Sequence, residues 1–365
     1  MVSNMKLSER EEYIYKRLQD EESRKVFDAR RHFLKTKDFT RFSDVFVNNK
    51  QLADVVRRLR GKTYVIYCMA FAGGVLETYF DSVGLSGCLG VWDNNPGLHG
   101  KKRGKNSISA PNYELLDEID IFLISTSSEA NVTSVIQDLT SHGVALHDIL
   151  TVDPFGCALG RCGHETEAQY FDCDIIIPRL SKNEVFVDAG CCNFSTSARL
   201  LELVTDAQRI YAFEPDHENI QLVLQGIERN NAQHIVKLYD FALWSSNEEL
   251  AFWVSDFEKG GSCVAAGRSN TNVSGRKLDE IVLPEDIVTF IKMDIEGAEL
   301  EALRGAADII KRDKPKLAIS IYHKETDYVD IAEYILSLVS DYKLYMRQYT
   351  PINLETVLYC VHPLY

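Results

Sequence analysis

Positive charge is scarce in this chain. Lysine and arginine number 40 against 54 aspartates and glutamates, a formal net charge of −14. A nucleic-acid partner needs a basic surface to meet its phosphates, so this balance argues against that class of partner. Long apolar runs are missing too. None reaches the ~18 residues that a membrane helix needs, and the longest candidate, Val65 to Leu76, is interrupted by Gly73 and Gly74. The opening stretch MVSNMKLSEREEY lacks the apolar core of a signal peptide. A cytoplasmic location follows, and there the nine cysteines are expected to be free thiols. Cys157, Cys162, His164 and Cys173 lie close together, but Cys-x4-Cys and Cys-x-His match no common zinc-ligand spacing. They are read as linker thiols.

The 365 residues, 45% of them hydrophobic, suffice for more than one core. Residues 1–60 show helical periodicity: Val26, Ala29 and Phe33, then Leu52, Val55, Val56 and Leu59. Ser8 with Glu11 forms a capping-box pattern. This segment is expected to be helical, and its apolar faces make a homo-oligomer through residues 1–60 an expectation. From Thr63 the pattern changes to short apolar runs, TYVIYC, GCLGVWD and IDIFLIST, each followed by a helical or loop segment. That alternation predicts a smaller Rossmann-like α/β domain over 61–155. A second series, EVFVDAG, RIYAFEP, HIVKLYD, VTFIKMD and KLAISIY, predicts another α/β domain over 156–365, with YKLYMRQY and ETVLYCV closing the chain as a terminal hairpin.

In the first α/β domain a dinucleotide fingerprint would fall on VIYCMAFAGG. Its glycines would let backbone amides approach a pyrophosphate at a helix N-terminus. Cys68 and Ala70 occupy the first two glycine positions and only Gly73 remains, while Asp93 stands where a ribose-binding acid would be. The domain is therefore read as a scaffold without a dinucleotide, and a nucleotide or nucleotide-sugar pocket is the competing reading.

The second domain carries acids at its strand ends: Asp188 beside Gly190, then Glu214, Asp240 and Asp294. Ligands of parallel α/β sheets bind at the carboxyl ends of the strands, so these acids are expected to converge. Carboxylates there would repel a pyrophosphate. S-adenosylmethionine has no phosphate but has a cationic sulfonium, an ammonium, two ribose hydroxyls and an adenine. Gly190 allows close backbone approach, Glu214 can accept from both ribose hydroxyls, and Asp240 with the Phe241 and Ala242 backbone can bracket the adenine. Each acid alone also fits a bland role, as a helix cap or a turn residue; the joint pattern points to the cofactor.

The blocks VFVDAGCCNFSTSARL, IYAFEPDHENIQLVLQGIERN, GGSCV and FIKMDIEGAELEALRGAADIIKRDKPKLAISIYH resemble the FkbM family of S-adenosylmethionine-dependent methyltransferases, over about Phe171 to Val361. The resemblance implies a seven-stranded class I methyltransferase fold. It further implies methyl transfer to an oxygen, often a sugar hydroxyl, and an association with polysaccharide biosynthesis. The expected acceptor is thus a small molecule or glycan. The family's cofactor residues correspond to Asp188, Gly190, Asn193, Glu214, Asp240 and Asp294. One departure is that Ser195 or Thr196 stands where the family's loop often has a further glycine.

Catalysis is expected at KMDIEG and ISIYH. Asp294 and Glu296, two residues apart, point the same way in an extended chain. His323 can reach the same mouth as a base titrating near neutral pH. The site is read without a metal, a divalent cation on Asp294, Glu296 and His323 being the competing reading. Against the enzyme stands a catalytically inactive nucleotide- or nucleotide-sugar-binding scaffold, which the intact second set of acids disfavours.

Overall fold

The computed structural model describes residues 6–46, 49–67, 71–102, 104–126, 129–152, 169–254, 261–264 and 269–365. The chain divides into two compact units. One comprises the chain up to Phe27, Tyr170–Met346 and Glu355–Tyr365; the other comprises Asp28–Gln169 and Arg347–Leu354.

The first unit is built on seven strands: β1 (Val185–Ala189), β2 (Arg209–Phe213), β3 (Val236–Tyr239), β4 (Phe290–Met293), β5 (Lys316–Ser320), β6 (Lys343–Gln348) and β7 (Thr356–Val361). Their order across the sheet is β6-β7-β5-β4-β1-β2-β3. β1 to β5 pair in parallel and β7 runs antiparallel to β5. This is the strand order of the class I methyltransferase fold expected from the sequence. Helices cover both faces of such a sheet, so its central strands are apolar on both sides; β1, β4, β5 and β7 are buried at every residue. Two lysines enter this interior, and each is paired. Lys316 Nζ lies 2.9 Å from Glu184, and Lys292 Nζ lies 3.2 Å from Asp188. The chain builds outward from β1 to β3 and then returns to the other side of β1 with β4. The crevice beyond the carboxyl ends of β1 and β4 is therefore the switch point where open α/β sheets bind ligands.

A second, four-stranded sheet, ordered Cys263–Val264, Glu248–Trp253, Thr271–Arg276 and Ala242–Leu243, is inserted between β3 and β4. Sequence periodicity did not anticipate it, because two of its strands have only two residues each. At the N-terminus, helix Leu7–Tyr15 packs on helix Asp327–Leu338. Ile14 is fully buried, Arg10 reaches Asp330 (2.5 Å) and Glu333 (2.6 Å), and the Tyr328 hydroxyl donates to Glu11. The capping acid is Glu9, which accepts from the Lys6 N–H at 3.2 Å; the expected Ser8–Glu11 cap is thus displaced by two residues, and Glu11 accepts from Tyr328.

The other unit holds a five-stranded parallel sheet, ordered Ile108–Ser109, Cys88–Trp92, Tyr64–Tyr67, Ile121–Ile124 and Ile149–Thr151. Helix Asn49–Leu59 buries Leu52, Val55, Val56 and Leu59 against Tyr64, Ile66, Leu76 and Phe80. Segment 1–60 is helical over most of its described residues and is divided between the two units at Phe27/Asp28, with Val26, Ala29, Leu52, Val55, Val56 and Leu59 buried. Cys68 and Ala70 lie outside the described residues. Gly73 falls within helix Phe71–Ser82, and the Asp93 carboxylate accepts from the Asn95 N–H at 2.8 Å to close a turn. Cys157, Cys162 and His164 also lie outside the described residues, and Cys173 is exposed and in no disulfide. Among the described residues no helix is long and apolar enough to cross a membrane.

Candidate functional site

The sheet register brings the strand-end residues level. Ala189 pairs with Phe213 on one side and Met293 on the other, and Phe213 pairs with Tyr239. The residues that follow, Gly190, Glu214, Asp294 and Asp240, therefore leave four adjacent strands at one height. Between them opens a cleft of about 570 Å³, its open mouth included. Gly190, Cys192, Glu214, Asn219, Phe241, Ala242, Leu243, Asp294 and Glu296 line it, and the inserted sheet contributes Phe252, Ser262 and Val264.

Gly190 has φ +73°, and a Cβ there would lie 1.9 Å from the Asp294 carbonyl oxygen. Only glycine lets the two loops meet at that distance. The Gly190 and Cys191 amides donate to the Phe213 carbonyl (3.0 and 3.2 Å), which turns the loop over the end of β2. Left-handed backbone is uncommon for other residue types, yet Cys192 (φ +49°), Phe194 (φ +71°) and Glu296 (φ +54°) adopt it in the loops after β1 and β4. Such conformations gather at functional sites.

Glu214 is 5% exposed. One carboxylate oxygen accepts from the Cys192 N–H (2.9 Å) and the other from the Asp216 N–H (2.9 Å), and the Asn219 side chain also bonds the carboxylate. Burial pushes its pKa up to about 7 against the pull of those two amides. Asp216 caps helix His217–Arg229 through the Glu218 N–H and accepts from the Ser262 hydroxyl at 2.6 Å.

Three residues of the expected cofactor set do not line the cleft. The Asp188 carboxylate is fully buried, taking Lys292 Nζ at 3.2 Å and the Ser197 hydroxyl at 2.7 Å. Its position within β1, one residue before the strand end, turns it into the sheet interior. Lys292 in turn donates to the Ala189 and Gly190 carbonyls (3.2 and 2.6 Å), so this pair braces the glycine loop from below. Asn193 is exposed and accepts from the Ser195 N–H at 3.0 Å, a local turn. Asp240 is exposed outside the cleft wall.

Beyond β4, Asp294 and Glu296 come together through a turn, Glu296 being left-handed, and not through the extended chain expected from their spacing. His323 lies 3.6 Å from Asp294 and 3.4 Å from Glu296 through Nε2, and 3.0 Å from Glu299 through Nδ1. Burial favours the neutral ring, but Glu299, Glu296 and Asp294 outweigh it and hold the pKa well above its ordinary value. Asp294, despite a burial penalty that opposes it, is held below the usual carboxylate range by His323, Lys292 and the Tyr170 hydroxyl, which donates at 2.6 Å. Burial raises Glu296. Sequence reasoning missed Glu299, Lys292 and Tyr170. Glu299 stands in the quoted block EGAELEAL, but Glu296 is left-handed and precedes the helix Glu299–Arg304, so their spacing gave no signal; Tyr170 carried none.

No curated protein matches the chain closely enough to count as a relative. Among solved structures it is similar to a methyltransferase FkbM from Methylobacillus flagellatus KT at 21% identity, covering 89% of this chain and 98% of that one with a TM-score of 0.47. An rRNA methylase from Streptococcus thermophilus follows at 19% identity, covering 51% and 90% with a TM-score of 0.34. A precorrin-6y C5,15-methyltransferase from Geobacter metallireducens GS-15 stands at 17% identity, covering 55% and 90% with a TM-score of 0.33. None of these likenesses bears on the substrate. Residues 188–344, which span β1 to the start of β6 and so include the whole cleft, match the family model of the methyltransferase FkbM domain. With the strand order of the first unit, that match identifies it as an FkbM-family methyltransferase domain.

Proposed function

We propose that the protein is an S-adenosylmethionine-dependent O-methyltransferase acting on a hydroxyl of a sugar, glycan or nucleotide-linked sugar. The observation that carries the cofactor is the pairing of Gly190 and Glu214 at level strand ends over one cleft. Glu214 lines the cleft as the acceptor proposed for the ribose hydroxyls, and the glycine loop brings backbone close without a side chain. Phe241, Ala242 and Leu243, with Phe252 and Val264, offer an apolar slot suited to a flat base. Bound S-adenosylmethionine supplies an electrophilic methyl group on a cationic sulfur.

Asp294 and Glu296 border the same cleft and present carboxylate charge where a cation and an entering hydroxyl would meet. Their proposed work is to orient the acceptor oxygen toward the methyl group, alignment being a large part of the rate of a direct displacement. His323 is a positioning residue that holds the two carboxylates. Asp188 and Lys292 support the loop and touch no ligand. The acceptor class is supported by the family resemblance.

Calorimetry on the full chain with S-adenosylhomocysteine tests the cofactor; saturable binding is expected, and its absence overturns the reading. Screening sugars, glycans and nucleotide sugars for transfer of a labelled methyl group tests the acceptor.

A further inference from the structure

We propose that Asp294, Glu299 and His323 form a binding site for a divalent cation of the Mg²⁺ or Mn²⁺ class at the edge of the cleft. Each offers a ligand atom, and these atoms lie within 4.8 Å of one another. Sequence spacing had paired Glu296 with the other two; the fold brings Glu299 inward instead, with its side chain 1% exposed.

The independent observation is the state of the buried groups. Among the described residues, neither nitrogen of His323, a side chain 9% exposed, has a hydrogen-bond partner, and neither has Glu299 Oε2. Three carboxylates stand 3.0 to 3.6 Å from the ring, yet none lies in line with a ring N–H. Buried polar atoms are ordinarily hydrogen-bonded. Donor and acceptors that face one another at this range without aligning are placed as co-ligands around a common centre. The carboxylates are themselves held: Glu299 Oε1 accepts from the Ile295 and Gly297 amides (2.9 and 3.4 Å), and Asp294 accepts from the Tyr170 and Tyr322 hydroxyls (2.6 and 3.3 Å). Outer contacts of that kind orient metal ligands. Charge gives the same direction. Asp294, Glu296 and Glu299 surround one imidazole, and Lys292 is committed to Asp188, so carboxylates outnumber cations here, an excess that a divalent ion would offset. Two hard carboxylates with one imidazole suit Mg²⁺ or Mn²⁺. Asp294 also lines the cleft, so the ion would border the path of the acceptor; this role, unlike the binding itself, rests on the proposed methyl transfer.

The test is Mn²⁺ binding to the full chain, read as loss of the free-ion electron paramagnetic resonance signal. One equivalent is expected to bind and to be displaced by excess Mg²⁺. Glu299→Gln and His323→Ala should each weaken binding by about tenfold or more, with thermal melts checking that the variants fold. S-adenosylhomocysteine binding, measured on the same samples, is expected to persist in both variants. No bound Mn²⁺ in a parent protein that binds S-adenosylhomocysteine overturns the cation site alone. Mn²⁺ binding unchanged in both folded variants overturns the ligand assignment. Failure to bind S-adenosylhomocysteine defeats the functional reading and leaves the cation result standing.

Discussion

At the residue scale, Glu214 couples binding to pH. Its carboxylate must be charged to accept from two ribose hydroxyls, and burial raises its pKa to about 7. Affinity for S-adenosylhomocysteine should therefore fall about tenfold between pH 8 and pH 6, while the Glu214→Gln variant should show a flat profile at weaker affinity. Glu214→Ala removes charge-assisted bonds, a loss of about 1.5–3 kcal/mol or tenfold to a hundredfold in Kd; calorimetry against pH reads both. Stability follows the opposite sense. A carboxyl with a raised folded pKa binds its proton more tightly folded than unfolded, so its contribution is greatest at low pH. That contribution is lost as pH rises from about 4.5 through 7, worth up to about 3 kcal/mol. Ligand-free Glu214→Gln should accordingly melt higher than the parent above pH 7. Gly190→Ala is the steric counterpart. Left-handed backbone alone costs about 1–2 kcal/mol, and the contact with the Asp294 carbonyl forces the two loops apart. Cofactor binding should be lost in a protein that still folds, as titration beside a thermal melt would show.

At the element scale, β1 and β4 share the Asp188–Lys292 pair, and the same lysine holds the first turn of the glycine loop. Removing one partner of a buried pair strands the other charge, a cost of about 3–5 kcal/mol. Lys292→Ala should show that loss in chemical denaturation. The double variant Asp188→Asn with Lys292→Met should recover much of the stability but not the cofactor affinity, since the loop loses its brace. Were the double variant as unstable as the single, the pair would not be the cause. At the N-terminus, Glu11, Arg10 and Ile14 fasten one helix to Asp327–Leu338.

For the whole molecule, the two α/β units present different strand-end chemistry. The methyltransferase unit has Gly190 and level acids. In the other, Asp93 closes its own turn, and two of the three glycines of a dinucleotide fingerprint are replaced in sequence. The full chain should accordingly bind S-adenosylhomocysteine with a stoichiometry of one and show no saturable NAD binding at micromolar concentration. NAD binding abolished by a change at Asp93 would reverse the reading of that unit.

What the sequence determined by itself is whatever depends on local pattern. Apolar runs of strand length, broken by helical periods, specify a parallel α/β fold, because strands buried on both faces must be apolar throughout. Acids and a glycine at strand ends mark the ligand edge, because register then sets Gly190, Glu214 and Asp294 level without further instruction. The tertiary structure decided which of those acids face the cleft. Asp188 lies two register steps before the level of Glu214, still inside the sheet, and there it pairs with a lysine on a neighbouring strand 104 residues away in sequence. It likewise decided the company of His323. No spacing along the chain foretells that Glu299 packs against the ring or that Tyr170 holds Asp294. Nor could periodicity reveal strands of two residues that complete the apolar wall, since two residues carry no period. These are contacts between segments far apart in the chain, fixed by how helices and loops pack over the sheet.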